Sequence, residues 1–205
     1  MKLSCVIAAR TGMTAALYKK ASLSKTGIIS LIAFLEGPYG GLESLRSYGT
    51  VLLFAGGVGI THQVSHLRDL VNAFDDGTCA TRKVTLVWSV RLAEQFEWVR
   101  KWMEELLEIS ATMGGFELKL LYFVTQPNLR ESTVGEENKA ERLCGKLKFG
   151  RPDVDRLLQD EFHDRAGAMC VGVCGPGALA DDVRSAARGV MGMGNVDFWE
   201  EAFTW

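Results

Sequence analysis

The sequence is poor in the features that mark membrane-spanning, nucleic-acid-binding and secreted proteins. No apolar run approaches the roughly 20 residues needed to cross a bilayer, and the first residues lack the apolar segment and cleavage site of a secretory signal. The 205 residues carry a net charge of -2, so the basic excess that attracts nucleic acid is absent. The sequence therefore predicts a chain that is soluble on its own and does not bind nucleic acid.

Cysteine and histidine are too few and too scattered to predict a disulfide framework or a metal centre. The five cysteines are odd in number and include no Cys-x-x-Cys pair, which favours reduced thiols. His62 and His66 are four residues apart and would share a helix face, but no catalytic glutamate or third ligand stands nearby. We expect these two histidines to form a polar helix face rather than a metal site.

From about residue 47 the sequence alternates between strands and helices. Continuous apolar runs, typical of strands buried on both faces, are separated by segments with apolar residues at helical spacing. The predicted strands span 51–55, 84–90, 116–124, 169–174 and 196–205. One long helix is predicted to begin near Leu92 and to reach Leu106. This alternation indicates an α/β fold, an open parallel sheet with helices on both faces.

Two stretches depart from this alternation. Residues 1–36 hold strand candidates at 3–9 and 28–35, with a short helix between them that Thr14 would cap, and a glycine- and proline-rich turn follows. Residues 127–150 are rich in charged and amide side chains, which predicts a mobile insertion. We therefore expect one small unit at 1–36 and a main domain at 37–205.

A glycine-rich turn, residues 55–61, follows the first buried strand and precedes a helix. Glycines let a phosphate approach the backbone closely, and a helix N-terminus attracts anions. The spacing is not that of the common dinucleotide fingerprint. We predict that Gly56, Gly57, Gly59 and Thr61 bind a phosphate group, the alternative being a tight turn without a ligand. A bulky side chain at Gly57 or Gly59 should then weaken binding and leave the fold intact.

The glycine turn and five further motifs resemble those of the ferredoxin reductase superfamily. A proline usually follows the threonine of the turn, and His62 in its place is similar to the fungal ferric reductases. The other five motifs are Arg10-Thr11-Gly12-Met13-Thr14, Glu36-Gly37-Pro38-Tyr39-Gly40, Gly150-Arg151-Pro152, Cys174-Gly175-Pro176-Gly177 and the aromatic end Phe198 to Trp205. The resemblance implies an NAD(P)-binding domain at 37–205 and a remnant of an FAD-binding β-barrel at 1–36. The superfamily's main flavin motif has no counterpart here.

The resemblance also implies roles for single residues. The pyrophosphate would lie on the glycine turn, and Gly12 and Thr14 would contact the flavin phosphate. Trp205 would cover the isoalloxazine ring of the flavin. The nicotinamide would be bordered by Pro38 and by the motif that contains Cys174, Gly175 and Pro176. Cys174 would lie near the nicotinamide carbon that gives up the hydride and would be catalytic, as would Trp205; the alternative for Cys174 is a small buried hydrophobic residue of the core.

Two arginines favour NADPH over NADH. Arg91 follows the second sheet strand, where an arginine can pair with a ribose 2′-phosphate, and Ser89 could add a hydroxyl. Arg151 lies in a motif that resembles a nucleotide-side loop. The alternative for each is a solvated surface arginine.

The resemblance implies that the chain is the NADPH-binding portion of a flavin-dependent ferric or cupric reductase. Its partners in the complete protein would be the FAD-binding barrel and a haem-bearing membrane domain. The site of action would be the cytosolic side of a membrane, the plasma membrane in particular. Two alternatives stay open, namely an NADPH oxidase that makes superoxide and a non-catalytic nucleotide-binding fragment.

Overall fold

The structure, a computed structural model, describes residues 4–34, 36, 43–126 and 146–201. The chain falls into two compact units, Met1–Glu43 and Ser44–Trp205. The predicted boundary after residue 36 adjoins positions outside the described residues, so it stays a prediction. Pro38 and Trp205 also lie outside the described residues, and their roles stay predictions. No helix in the described ranges is long and apolar enough to cross a membrane.

The smaller unit contains the helix α1 (Met13–Ser22). Neither 4–9 nor 28–34 forms a strand, so both strand predictions are wrong over these described residues. A strand needs a partner for its backbone groups, and the side chains of Ile7, Ile28 and Phe34 are exposed instead of being packed in a sheet. The barrel remnant therefore stays a prediction.

The larger unit is built around a six-stranded parallel sheet. Its strands are β1 (Thr50–Gly56), β2 (Lys83–Val90), β3 (Glu117–Val124), β4 (Lys146–Phe149), β5 (Met169–Cys174) and β6 (Val196–Glu201). Their order across the sheet is β4-β3-β2-β1-β5-β6, with every neighbouring pair parallel. All residues of β1 and β5 are buried. The predicted open parallel α/β sheet is confirmed.

Helices cover both faces of this sheet. They are α2 (Ile60–Asp75), α3 (Arg100–Ala111), α4 (Val154–His163) and α5 (Gly177–Met191). Leu158 of α4 and Val183 of α5 share a buried cluster with Leu52 and Phe54 of β1. Because side chains alternate along a strand, α2 lies on the opposite face, where the side chain of Gln63 approaches Gly172.

Three elements differ from the sequence prediction. The predicted helix from Leu92 is divided into a 3₁₀ segment, Ala93–Trp98, and α3, because the backbone of Val99 leaves the helical conformation (φ −124°, ψ 9°). Strand β4 occupies the last part of the predicted insertion, where the alternating Lys-Leu-Lys-Phe sequence pairs with β3. The remainder, 127–145, lies outside the described residues. Helix α4 was not predicted.

Candidate functional site

The glycine turn and the Cys-Gly-Pro-Gly turn follow two neighbouring strands of the sheet, β1 and β5. From β1 the chain adds β2, β3 and β4 in succession on one side, whereas β5 and β6 lie on the other side. The connections after β1 and β5 therefore lead to opposite faces and leave a crevice at the carboxyl ends of the strands. Open α/β sheets bind their ligands in this crevice. The glycine turn follows β1 and the Cys-Gly-Pro-Gly turn follows β5, so both motifs border it.

These two turns contact each other through three glycines. A Cβ atom on Gly56 would lie 2.4 Å from Cδ of Pro176, and one on Gly59 would lie 2.1 Å from the carbonyl oxygen of Cys174. A Cβ atom on Gly175 would lie 2.9 Å from the backbone of Gly56. No side chain fits at such distances, so the glycines permit the close approach of the two turns. The motifs that the sequence separates by more than 100 residues thus form one surface.

Gly57 differs from the other glycines of the turn. Its φ is +53°, and no atom lies within 4 Å of the position that a Cβ would take. It therefore requires glycine for its backbone conformation rather than for close packing. Gly57 is thus the glycine of the turn next to which space is left open.

Thr61 lies in the first turn of α2, but its hydroxyl is already engaged. The Oγ1 atom donates a hydrogen bond to the carbonyl of Val58 over 3.0 Å. This bond stabilises the glycine turn, so the hydroxyl donates to no other group while it lasts. The N-terminus of α2 directly follows the glycine turn and is the positive end of the helix dipole. The N–H of Ile60, the first residue of this helix, is already bonded to the carbonyl of Gly57.

Cys174 ends β5 at the crevice and is fully buried. Burial raises the pKa of its thiol to about 12, and the negative charge of Glu201, its neighbour in β6, adds to this effect. At neutral pH the side chain is therefore an uncharged thiol rather than a reactive thiolate. The thiol therefore does not act as a nucleophile, and the proximity of Cys174 to a nicotinamide stays a prediction.

The two arginines both lie at the carboxyl ends of the strands, on loops that follow different strands. The carbonyl of Arg91, after β2, accepts a hydrogen bond from the N–H of Gln126, after β3, over 3.1 Å. Arg151 follows β4, whose end is joined to β3 by the hydrogen bond from Gly150 to Val124 (2.9 Å). Because β3 separates these loops, they are about two strand spacings, or about 10 Å, apart. Both arginines are exposed.

Ser89 presents a buried hydroxyl near the crevice. It lies close to the carboxyl end of β2 and pairs in register with Gly56 of β1. Its Oγ atom is buried and has no hydrogen-bond partner among the described residues. Because a buried hydroxyl without a partner is costly, this position fits a polar ligand. This hydroxyl and the open space at Gly57 are compatible with a phosphate-bearing group at the crevice.

The predicted flavin-contact residues belong to the smaller unit. Gly12 has a φ of 62° and immediately precedes α1. Thr14 is not the N-cap that was predicted, because α1 begins one residue before it. Its hydroxyl accepts a hydrogen bond from the N–H of Arg10 over 3.1 Å and donates to the carbonyl of Thr11 over 3.3 Å. A role of these residues in binding flavin stays a prediction.

The two histidines of α2 are less polar in their surroundings than the sequence suggested. His66 is 7% exposed, and its ring lies edge-on to that of His62 at 4.8 Å. Burial lowers the pKa of His66 to about 4, and the neighbouring His62 contributes in the same direction. Within the described ranges, no group of three histidine, cysteine or acidic side chains is placed to hold a metal ion.

The fold and the paired turns define the class of the larger unit, an α/β dinucleotide-binding domain. Residues 48–188 match the family model of the ferric reductase NAD binding domain. This match covers more than half of the chain, and the chain belongs to that family.

The names of three similar proteins are consistent with this family. A probable cell surface ferric reductase, kap2, from Aspergillus oryzae is 44% identical over 158 residues, which is 67% of this chain and 21% of the relative. The ferric/cupric reductase transmembrane component 2 of Schizosaccharomyces pombe is 27% identical over 76% of this chain and 27% of its own length. Dual oxidase 2 of Rattus norvegicus is 26% identical over 76% of this chain and 11% of the relative. The chain therefore spans between about a tenth and a quarter of the length of these relatives.

Proposed function

We propose that this chain is the NADPH-binding portion of a flavin-dependent ferric or cupric reductase. The observation that carries the proposal is the contact of two glycine-containing turns at the point where the strand order reverses. The family match and the names of the fungal relatives support a metal ion as the final electron acceptor. In the complete protein, electrons would pass from the nucleotide to FAD, then through haem to the metal ion.

Different residues of the crevice would bind different parts of the nucleotide. The glycine turn and the positive end of the α2 dipole would bind the pyrophosphate, and Arg91 or Arg151 would pair with the 2′-phosphate. Cys174, Gly175 and Pro176 would border the nicotinamide, which supplies a hydride when it is bound. The contribution of the protein is to align this ring with its acceptor, because a correctly oriented pair reacts far faster than two free molecules.

A second candidate function is supported by the dual oxidases among the relatives. Their identity to this chain, 26% for the rat protein, is well below the 44% of the Aspergillus reductase. The acceptor in an oxidase would be oxygen, and the nucleotide site would be the same. The higher identity to the reductase therefore favours a metal ion over oxygen as the acceptor. The other alternative, a non-catalytic nucleotide-binding role, is tested by assaying the chain for diaphorase activity with added FAD.

Binding of nucleotides by the chain tests the proposal directly. Calorimetric titration should show binding of NADPH, and binding of NADH should be weaker. Replacing the arginine that pairs with the 2′-phosphate, Arg91→Ala or Arg151→Ala, should weaken NADPH roughly ten- to a hundredfold, because a charge-assisted hydrogen bond is lost. The affinity for NADH should change little.

A matched control is Arg188→Ala. Arg188 is exposed in the last turn of α5, toward the amino ends of the strands and away from the crevice. Its loss should therefore leave both affinities unchanged. Failure of the wild-type chain to bind either nucleotide would overturn the proposed function. Equal losses for NADPH and NADH in both arginine variants would overturn the preference for NADPH alone.

A further inference from the structure

Trp88 joins the interior of the sheet to the glycine turn. It is the largest fully buried side chain among the described residues, and it lies in β2, two residues before that strand ends. Its Nε1–H donates a hydrogen bond to the carbonyl oxygen of Gly57 over 3.0 Å. A buried indole N–H needs a partner, and here the partner belongs to the turn that faces the crevice.

This hydrogen bond helps to hold the peptide group between Gly57 and Val58 in one orientation. In a planar trans peptide the C=O and the following N–H point in opposite directions. Since the carbonyl of Gly57 points inward to Trp88, the N–H of Val58 points away from the indole. Glycine at φ +53° has access to many backbone conformations. The N–H of Ile60 also donates to the carbonyl of Gly57, so the indole of Trp88 is the second of two donors that hold this carbonyl in one orientation.

The indole itself is held in place by two further rings. Trp88 packs edge-on against Phe96 and Tyr122, with ring centroids 5.2 and 6.1 Å away. Phe96 belongs to the 3₁₀ segment after β2. The beginning of this segment is fixed by Gln95, whose Oε1 accepts hydrogen bonds from the N–H groups of Arg91 and Leu92 at 2.8 and 3.2 Å. Trp88 therefore cannot turn away from Gly57 without unpacking this cluster.

We infer that Trp88 is a positioning residue for the pyrophosphate of a pyridine nucleotide. By holding the carbonyl of Gly57 inward, it directs the N–H of Val58 toward the phosphate. This inference rests on the proposed function, because it assumes that the crevice binds a nucleotide. It gives a role in binding to a side chain that is completely shielded from solvent.

The inference is tested by removing the N–H while keeping the shape of the side chain. In the full 205-residue chain, Trp88 is replaced by β-(3-benzothienyl)alanine, in which sulfur takes the place of the indole N–H. We expect the dissociation constant for NADPH to rise roughly three- to tenfold, as is usual for the loss of one neutral hydrogen bond. The same replacement at Trp102, which lies in α3 and is partly exposed, is the matched control and should leave it unchanged.

A second measurement separates positioning from simple stabilisation. In wild-type protein labelled with ¹⁵N, the amide proton resonance of Val58 should move downfield when NADPH is added, and this shift should shrink in the Trp88 variant. A purely structural role would lower the melting temperature and leave the nucleotide-induced shift of Val58 as it is. Trp88→Phe, which also lacks the N–H, should weaken NADPH at least as much as the analogue.

The possible results distinguish the inference from the function on which it rests. Wild-type affinity together with an unchanged Val58 shift in the analogue-bearing chain would overturn the role of Trp88 alone. A wild-type chain that binds neither NADPH nor NADH would overturn the proposed function and this inference together.

Discussion

Individual glycines in the turn have different physical roles, although the sequence makes them look alike. Gly59 is closely packed, so Gly59→Ala would place a Cβ 2.1 Å from the carbonyl oxygen of Cys174 and force the two turns apart. We expect it to lower the free energy of unfolding by roughly 1–3 kcal/mol, as overpacking usually does. This corrects the expectation that a side chain at Gly59 leaves the fold intact. Thermal unfolding of the variant measures the effect.

Gly57→Ala should act mainly on nucleotide binding. The added methyl has open space around it, and the strain of a positive φ should cost about 1–2 kcal/mol. It would, however, lie on the surface that a phosphate must approach. The matched control is Gly77→Ala, because Gly77 has a similar φ of 67° and equally open space after α2. Equal NADPH affinity in the two alanine variants would contradict our assignment of Gly57 to the pyrophosphate.

His66 should make the larger unit sensitive to mild acid. Its pKa is lowered by burial to about 4 in the folded chain, against 6.5 for a free histidine. Between these values the unfolded chain binds a proton that the folded chain does not, so stability is complete above pH 6.5 and is lost as the pH falls toward 4. At about 1.4 kcal/mol per pKa unit, the total loss is about 3 kcal/mol.

Urea unfolding at a series of pH values checks this expectation. His66→Phe removes the titrating group while keeping an aromatic ring, so its stability should depend less on pH over this range than that of the wild type. His163→Phe is a suitable control because His163 is exposed at the end of α4. If the wild type and His66→Phe lose stability in parallel, another group must be responsible.

At the scale of whole elements, a cluster of charges joins α4 to the amino ends of two strands. Glu161 of α4 is 2% exposed and forms ion pairs with Lys83 of β2 at 3.0 Å and with Lys119 of β3 at 2.8 Å. Burial alone would raise the pKa of Glu161, but the two lysines outweigh this effect and lower it. Asp164 contacts Lys83 from the outside.

Removing the shared carboxylate should therefore be costly. In Glu161→Leu, the buried Lys83 keeps only the exposed Asp164, and we expect a loss of roughly 3 kcal/mol in the free energy of unfolding. Lys119→Met should cost much less, since that lysine is 37% exposed and its loss leaves Glu161 paired with Lys83. Chemical unfolding of both variants tests the order. A smaller effect for Glu161→Leu than for Lys119→Met would rule out Glu161 as the centre of the cluster.

The sequence was most informative about elements whose pattern is local. Buried strands such as β1 and β5 are continuous apolar runs, and their positions were predicted to within about one residue. Helix α4 was missed although Asp153 caps it, with an oxygen that accepts from the N–H of Arg156, and apolar residues recur inside it. Strand β4 is only four residues long and depends on pairing with β3, which no local pattern reveals.

The site could be predicted only in part for a related reason. The glycine turn and the Cys-Gly-Pro-Gly turn were each recognised as motifs, but their contact depends on the order of strands in the sheet. Trp88 gave no functional signal at all, because an aromatic residue in a buried strand usually belongs to the core. Its hydrogen bond to Gly57 is evident only when β1 and β2 are placed side by side.

For the whole molecule, we predict that the chain binds a pyridine nucleotide without retaining flavin. The main flavin motif of the superfamily is missing from the sequence, whereas the crevice of the larger unit is formed by residues that are present. Purified protein should be colourless, and added FAD should bind weakly or not at all, while NADPH still binds. Yellow protein with one FAD per chain would contradict this prediction. A visible absorption spectrum and a titration with FAD decide between the two outcomes.

The central position of β1 has a consequence for how the protein is made. One neighbour, β2, begins at residue 83, but the other, β5, begins at residue 169, more than 110 residues after β1 ends at residue 56. At synthesis rates of about 5–20 residues per second, one edge of this fully buried strand waits on the order of ten seconds for its partner. During that interval an apolar strand edge is open to other chains. The nascent protein should therefore depend on chaperones that shield such edges until β5 has left the ribosome.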